Sequence, residues 1–256
     1  MRISVVVPTI GRESLERTLE SLQNQTYSAD EIIVEQDFDQ AGPAITRNNG
    51  ARRAHGDLIL FIDDDCVAAP NWIERMRTAF ENPAIIAASG AVLYRGNKDD
   101  IRERAVQNPD ARWFMGANCG VRRNTFWKLG GFPEKYLVYE DKAFALACWE
   151  RGYFVARVPL AHVYHEVSLW NQQMVKRFSK NLACWVNLSR DYNIWADKNN
   201  PPPIWGGFFL MPRDYPSFFK HLFKSMDEFH WLRAKLLFKQ RINLWKHAIK
   251  NKKLLI

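Results

Sequence analysis

Apolar and polar positions follow two periods along the first 166 residues. ISVVVP (3–8) is apolar almost throughout and reads as a buried strand. Over 12–25, Leu15, Leu19 and Leu22 fall at i, i+4 and i+7, one face of a helix. EIIVEQ (31–36) reads as a second strand, and Ala44, Ile45, Ala51 and Ala54 predict a helix over 43–54 with a small-residue face. DLILFID (57–63) predicts a third strand, 71–82 a helix and 84–94 another strand. Strands that alternate with helices and are apolar along their whole length predict an α/β fold, a mostly parallel sheet covered by helices on both faces. Further on, 97–112 shows no apolar period and reads as a mobile loop. The Gly- and Asn-rich stretch 113–132 reads as a turn, a short helix and a second turn. A helix is predicted over 139–153, opening with two acids and closing at Gly152, and then a strand over 154–165 that ends in His165. Residues 168–198 read as helical until NNPPP (199–203) marks a boundary.

The chain has 256 residues, 47% of them hydrophobic and 25% charged, which predicts a globular domain with an appendage rather than a disordered chain. No signal-peptide pattern is predicted, because the apolar run after Arg2 stops at Pro8. No window reaches the ~18–20 apolar residues that span a bilayer. Cys66, Cys119, Cys148 and Cys184 are widely spaced with no C-x-x-C, which argues against zinc and for reduced thiols and a cytoplasmic location.

Polar groups gather at the predicted strand ends. Thr9, Glu35 to Asp37, and Asp63, Asp64 and Asp65 all lie where an open α/β sheet places its ligands. One aspartate after a strand is commonly a turn former or a helix cap. Three in a row repel one another unless something positive lies between them, and a divalent cation with oxygen ligands answers that need. Both readings, metal with phosphate and turn chemistry, stay open on the residues alone.

Context narrows the choice. SVVVPT, EIIVEQD and ITRNNGARRAHGDLILFIDDDCVAAPNWI, followed by GANCGVRRNTFWKLGGF, YEDKAFALACWERGY and VYH, resemble the GT-A-fold glycosyltransferases of family 2 in order and spacing. The resemblance covers about residues 1–166. It implies a catalytic domain there, with a nucleotide-sugar-binding half (1–112) and an acceptor half (113–166); the helical pattern and basic charge beyond it mark a separate C-terminal region over 167–256. It further implies that Pro8, Thr9, Arg47, Asp63, Asp64 and Asn118 bind the nucleotide sugar, with Glu35 and Asp37 competing for the acid that reads the base. Asp65 would be the main carboxylate ligand of Mn²⁺ or Mg²⁺ and His165 a further ligand of the metal or the diphosphate, a lone histidine having a structural role as its bland alternative. Asp141 would be the general base, supported by Glu140. Arg47 has a bland alternative as a solvated helix charge, and Glu140 or Asp141 as acids that favour a helix N-terminus. The chain departs from the pattern at Ala143 and Ala147, where relatives often carry an acid and an arginine, and at Cys66, where they often carry a polar residue.

The activity implied is metal-dependent, inverting transfer of a sugar from a nucleotide sugar, a UDP-sugar favoured, to a hydroxyl of a saccharide or lipid-linked acceptor, as in polysaccharide or glycolipid assembly. Two alternatives stand beside it. A nucleotidyltransferase would need a glycine- and lysine-rich phosphate loop near 8–14, which this chain lacks. A non-catalytic scaffold would have lost the acids, which are present.

The charge is uneven. Residues 204–256 hold eleven Lys/Arg and three acids, so the whole net charge of +8 sits in this stretch. Phe219, Leu222, Phe223 and Met226 share a helical face among the basic residues. One reading is an ordinary helical appendage with solvated charges. Another is a cationic segment on an anionic membrane, which would make the protein peripheral on the inner face of the plasma membrane. Nucleic acid fits the charge, but no binding motif accompanies it.

Overall fold

The computed structural model describes residues 1–96, 103–104, 106–169, 188 and 191–192. The chain divides into two compact units, one of residues 1–97 and 105–168, the other of residues 98–104 and 169–256. The helix expected over 168–198 and the basic region 204–256 fall outside the described residues, apart from Ser168, Leu169, Leu188, Asp191 and Tyr192; Cys184 also lies outside them.

The elements run β1 (Ile3–Thr9), α1 (Leu15–Gln23), β2 (Glu31–Gln36), α2 (Pro43–Arg53), β3 (Leu58–Ile62), β4 (Cys66–Ala68), α3 (Trp72–Ala79), β5 (Ala87–Tyr94), β6 (Glu103–Arg104), β7 (Asn118–Arg122), α4 (Arg123–Lys128), α5 (Glu140–Glu150), β8 (Val155–His165) and β9 (Ser168–Leu169). Seven strands form one sheet in the order β2-β1-β3-β7-β5-β8-β4. β1 is parallel to β2 and β3, and β5 to β8, whereas β7 runs antiparallel between β3 and β5, and β4 antiparallel to β8. The sheet is therefore mixed, with its parallel pairs where βα crossovers join the strands.

The period of two explains why both faces are covered. Val5, Val7, Leu58, Leu60 and Ile62 pack against Leu22 of α1 and Trp72, Ile73 and Met76 of α3. The intervening Val6, Ile59 and Phe61 pack on the other side with Ala44 and Ala51 of α2, Phe126 of α4 and Phe144 of α5. The small-residue face of α2 lets it lie close to the sheet. A Cβ on Gly50 would come within 2.5 Å of Val6 Cγ1. Pro43 occupies the start of α2, and Arg52 and Arg53 its last turn, where each suits the helix end.

Two strands differ from expectation. Residues 118–122, expected within a turn, form β7 in the middle of the sheet. Glycine belongs there because a Cβ on Gly120 would stand 2.7 Å from Leu60 Cδ2 and 3.1 Å from Phe80 Cε2. The large side chains of neighbouring elements fill the space that a strand residue normally fills itself. β4 is only three residues long, too short for any periodicity. Of the loop expected over 97–112, Asn108 is tied to Val92 by backbone bonds in both directions, and its side chain bonds the backbone of Trp113. That part of the stretch is pinned to β5 rather than free.

Asn118 differs from expectation as well: where the resemblance implies donor binding, the residue is fully buried and its amide is engaged within the protein. Trp72 Nε1 donates to its Oδ1 at 2.8 Å, and its Nδ2 donates to the carbonyls of Ala91 at 2.7 Å and Ala161 at 2.9 Å. It ties α3, β5 and β8 to β7.

At the opposite end of the sheet, Glu31 accepts bonds from Ser4 Oγ and the His55 N–H, both at 2.6 Å. Burial works against this carboxylate, but these bonds outweigh it and hold its pKa down to about 2.

Asn118→Leu is expected to lower stability by about 2–4 kcal/mol, because it strands three buried polar groups. Urea unfolding would show this, and a wild-type midpoint would refute the strut. Glu31→Gln is expected to cost about 1–2 kcal/mol at pH 7, discounted for partial exposure. Because the folded pKa is depressed, the wild type holds that stability above pH 4.5 and loses it towards pH 2. Acid unfolding curves for the two proteins should therefore converge across that window. A constant gap down to pH 2 would contradict the assignment.

Candidate active site

Short strands deliver the polar groups to one edge. β1 ends at Thr9, and β3 ends at Ile62, after which Asp63, Asp64 and Asp65 follow. The antiparallel register of β4 with β8 sets Cys66 opposite His165 and so brings Asp65 beside the histidine. Asp65 Oδ1 lies 3.5 Å from His165 Nε2. Thr9 Oγ1 donates to Asp64 Oδ2 at 2.6 Å and accepts from the Gly11 N–H at 2.9 Å. Arg12 Nη1 donates to Asp64 Oδ1 at 2.8 Å and to Asp65 Oδ2 at 2.6 Å. Arg12 lies in the stretch read only as a helix start. Its signal was a basic residue just past a strand end, a position that periodicity does not single out.

A second cluster centres on Arg47 in α2, whose side chain is only 5% exposed. Its Nη1 pairs with Glu140 and its Nη2 with Asp63. Burial disfavours the charged guanidinium, but Asp63, Glu140 and Asp141 outweigh that and raise its pKa. Burial also pushes Glu140 up to about 7, with Asp141 adding to the effect and Arg47 opposing it. A Cβ on Gly116 would stand 2.6 Å from Arg47 Cζ, so the glycine is what lets the guanidinium fit. The solvated-charge alternative for Arg47 is thereby excluded. Its two terminal nitrogens are committed to carboxylates instead of being presented to a base or diphosphate.

Asp141 sits next to this cluster at the start of α5 and is partly exposed. Its Oδ2 accepts from the Gly116 N–H at 3.0 Å and its Oδ1 from the Lys142 N–H at 2.7 Å. Glu140 is turned inward to Arg47, while Asp141 is oriented by backbone. The two acids do different things. Ala143 and Ala147 are buried on the same helix, which fits an α5 packed by small residues.

Glu35 in β2 and Asp37 just past its end are also separated. Asp37 accepts the Ala41 and Gly42 N–H groups at 2.8 and 2.9 Å, and its own N–H bonds the Thr9 carbonyl at 2.8 Å. It closes the turn into α2. Glu35 pairs with Arg53 at 2.8 Å. Pro8 is buried in β1 opposite Glu35 and shapes the wall without presenting a polar group.

Asp65, Cys66 and His165 offer donor atoms that all lie within 4.8 Å of one another. His165 Nδ1 lies 2.7 Å from the Glu166 carbonyl, an arrangement that directs the Nε2 lone pair toward Asp65. A carboxylate and an imidazole nitrogen facing each other suit a divalent cation. Cys66 suits it less, because burial, and then Asp63 and Asp65, keep its thiol well above its usual pKa. Burial likewise raises Cys119 and pushes Cys148 up to about 12, and these three cysteines are free and buried. Among the described residues, no helix is long and apolar enough to cross a membrane.

Residues 34–146 match the model of the family described as Glycosyl transferase family 2. The chain is 28% identical over 175 residues to the glucosyl-dolichyl phosphate glucuronosyltransferase of Haloferax volcanii, covering 52% of this chain and 56% of that protein. It is 24% identical over 241 residues to an O-antigen chain rhamnosyltransferase of Salmonella typhimurium, covering 75% and 76%. The chain thus spans little more than half the length of the Haloferax relative. Among solved structures, a mannosyltransferase from Pyrobaculum calidifontis in complex with GDP-Man and Mn²⁺ superposes with a TM-score of 0.60 at 17% identity, over 97% of this chain and 73% of that one. GalNAc-T7 with UDP, GalNAc and Mn²⁺ does so with a TM-score of 0.57 at 16% identity, over 98% and 57%. These identities speak for the fold, and the family match speaks for the segment that contains Arg47, the three aspartates and the paired acids. Both agree on a GT-A glycosyltransferase fold, within which residues 34–146 match Glycosyl transferase family 2.

Proposed function

We propose that this chain is a metal-dependent, inverting transferase that moves a sugar from a nucleoside diphosphate sugar to an acceptor hydroxyl. The observation that carries the reading is the meeting of Asp65 with His165 Nε2 at the end of β3, in a chain whose Asp141 is held by two backbone N–H groups. Solved relatives in complex with Mn²⁺ and with GDP-Man or UDP support it. Asp65 and His165 would hold Mn²⁺ or Mg²⁺, which when bound supplies positive charge to the departing diphosphate. The protein's own residues do the rest. Thr9 fixes Asp64, and the buried Arg47 fixes Asp63, so both carboxylates stand ready on the donor side. Asp141 takes the proton of the acceptor hydroxyl, the Gly116 and Lys142 N–H groups fixing the direction of its oxygens. Glu140 supports it indirectly, by holding Arg47. Attack on the face opposite the leaving diphosphate inverts the anomeric carbon.

The acceptor belongs to the same proposal. Relatives named for dolichyl phosphate and for O-antigen chains support a saccharide or lipid-linked hydroxyl. Contact of residues 204–256 with an anionic membrane rests on their charge and amphipathic pattern.

Asp141→Asn is expected to bind nucleoside diphosphate with wild-type affinity by calorimetry while transfer falls by about 10²–10⁴-fold. Near-wild-type turnover would remove Asp141 as the base. In a thermal-shift panel of nucleoside diphosphates and nucleotide sugars, the wild type should gain roughly 5–10 °C from Mn²⁺ with the right nucleotide at about 100 times its dissociation constant. EDTA, or Asp65→Asn, should abolish the gain. If no nucleotide gives a metal-dependent shift in the wild type, the proposed function fails.

A further inference from the structure

Arg12 is the guanidinium that the site leaves over. Arg47, expected to bind the nucleotide sugar, is buried with both terminal nitrogens on carboxylates. Arg12 is 39% exposed at the side chain and bridges Asp64 and Asp65 through a single nitrogen, Nη1. An arginine carries five N–H donors, so most of its fork is uncommitted to these two acids.

Its placement is built into the backbone. Gly11 has a φ of +83°, a left-handed conformation that glycine adopts without penalty, and its N–H bonds Thr9 Oγ1. The chain therefore turns back over the end of β1, and the next side chain is laid across the ends of β1 and β3. The result is a continuous run of contacts from Thr9 through Asp64, Arg12 and Asp65 to His165.

This arrangement has a consequence for cation binding. Asp65 is the carboxylate that would hold the divalent cation, and Arg12 already neutralises it. A doubly charged ion at Asp65 and a guanidinium bonded to the same carboxylate repel one another at contact distance. A donor diphosphate at the cation is the nearest new anion, and a planar fork of N–H donors suits phosphate oxygens.

We propose that Arg12 couples the two binding events: it occupies Asp64 and Asp65 before the cation arrives, leaves Asp65 when the cation binds, and then donates to the donor's diphosphate. The inference rests on the reading of this site as one for metal and nucleotide sugar. It makes Arg12 a competitor of the metal and a partner of the nucleotide, two effects of opposite sign that a merely structural arginine would not produce.

The test uses the full chain with Arg12→Gln and Arg12→Lys. Free Mn²⁺ is titrated without nucleotide and followed by electron paramagnetic resonance. UDP and GDP are titrated at saturating Mn²⁺ by calorimetry. Arg12→Gln should bind Mn²⁺ alone about two- to fivefold more tightly, the scale of a partly exposed ion pair. It should bind the preferred nucleoside diphosphate about tenfold more weakly, the scale of a charge-assisted hydrogen bond. Arg12→Lys should recover part of the nucleotide affinity. Both affinities falling together, or neither moving, would overturn the inference while leaving the proposed function standing. A wild type that binds neither Mn²⁺ nor either nucleotide would sink the proposed function, and the inference with it.

Discussion

A buried positive charge organises this fold's working end. Arg47 sits inside the protein with Asp63 on one side and Glu140 on the other. Taking these groups out of water costs several kcal/mol per ion, and only their mutual pairing offsets it. The cluster is therefore satisfied only when α2, the end of β3 and the start of α5 are all in place. Gly116 is part of the same constraint, because any side chain there would collide with the guanidinium. The Phe132 ring, 5.9 Å from Arg47 Cζ, closes another side and belongs to the aromatic group of Phe61, Phe126 and Phe144. Core packing and site geometry thus meet at one residue.

From that arrangement the roles of the acids separate. Adjacent carboxylates in a chain have no reason to behave alike once their partners differ. Asp63 is paired with a buried arginine, Asp64 with Thr9 and Arg12, and Asp65 with Arg12 and His165. The strand supplies the division, since three consecutive residues leaving its end point in different directions. Glu140 and Asp141 divide in the same way at a helix start, one turned into the interior and one held by backbone N–H groups. The site is a set of carboxylates, each distinguished by what neutralises or orients it.

The sequence carried the elements whose period is long or whose runs are unbroken. β2, β3, β5 and β8, and the helices α1, α2, α3 and α5, lie within the ranges that the apolar pattern predicts, and β1 runs one residue past its range to Thr9, because burial on one or two faces imposes that pattern locally. The placing of Thr9 and Asp63 to Asp65 at one edge was also legible, because the carboxyl ends of strands in such a sheet share an edge whatever their details, whereas His165 was expected there only from the family resemblance.

What only the tertiary structure decided depends on contacts between residues far apart in the chain. β7 looks like a turn, since its Gly120 and Asn118 are shaped by Leu60, Phe80, Trp72, Ala91 and Ala161, none of them neighbours in sequence. Asn118 and Arg47 read as ligand-facing residues in the sequence, but in the fold the amide of one and both terminal nitrogens of the other are spent on the protein itself. Nothing in a linear pattern says that a left-handed Gly11 will swing Arg12 onto Asp64 and Asp65. Local periodicity determined where the chain is buried. Which charges face each other, and so which remain for a ligand, was decided by the fold, because electrostatic partners are set by distance in space.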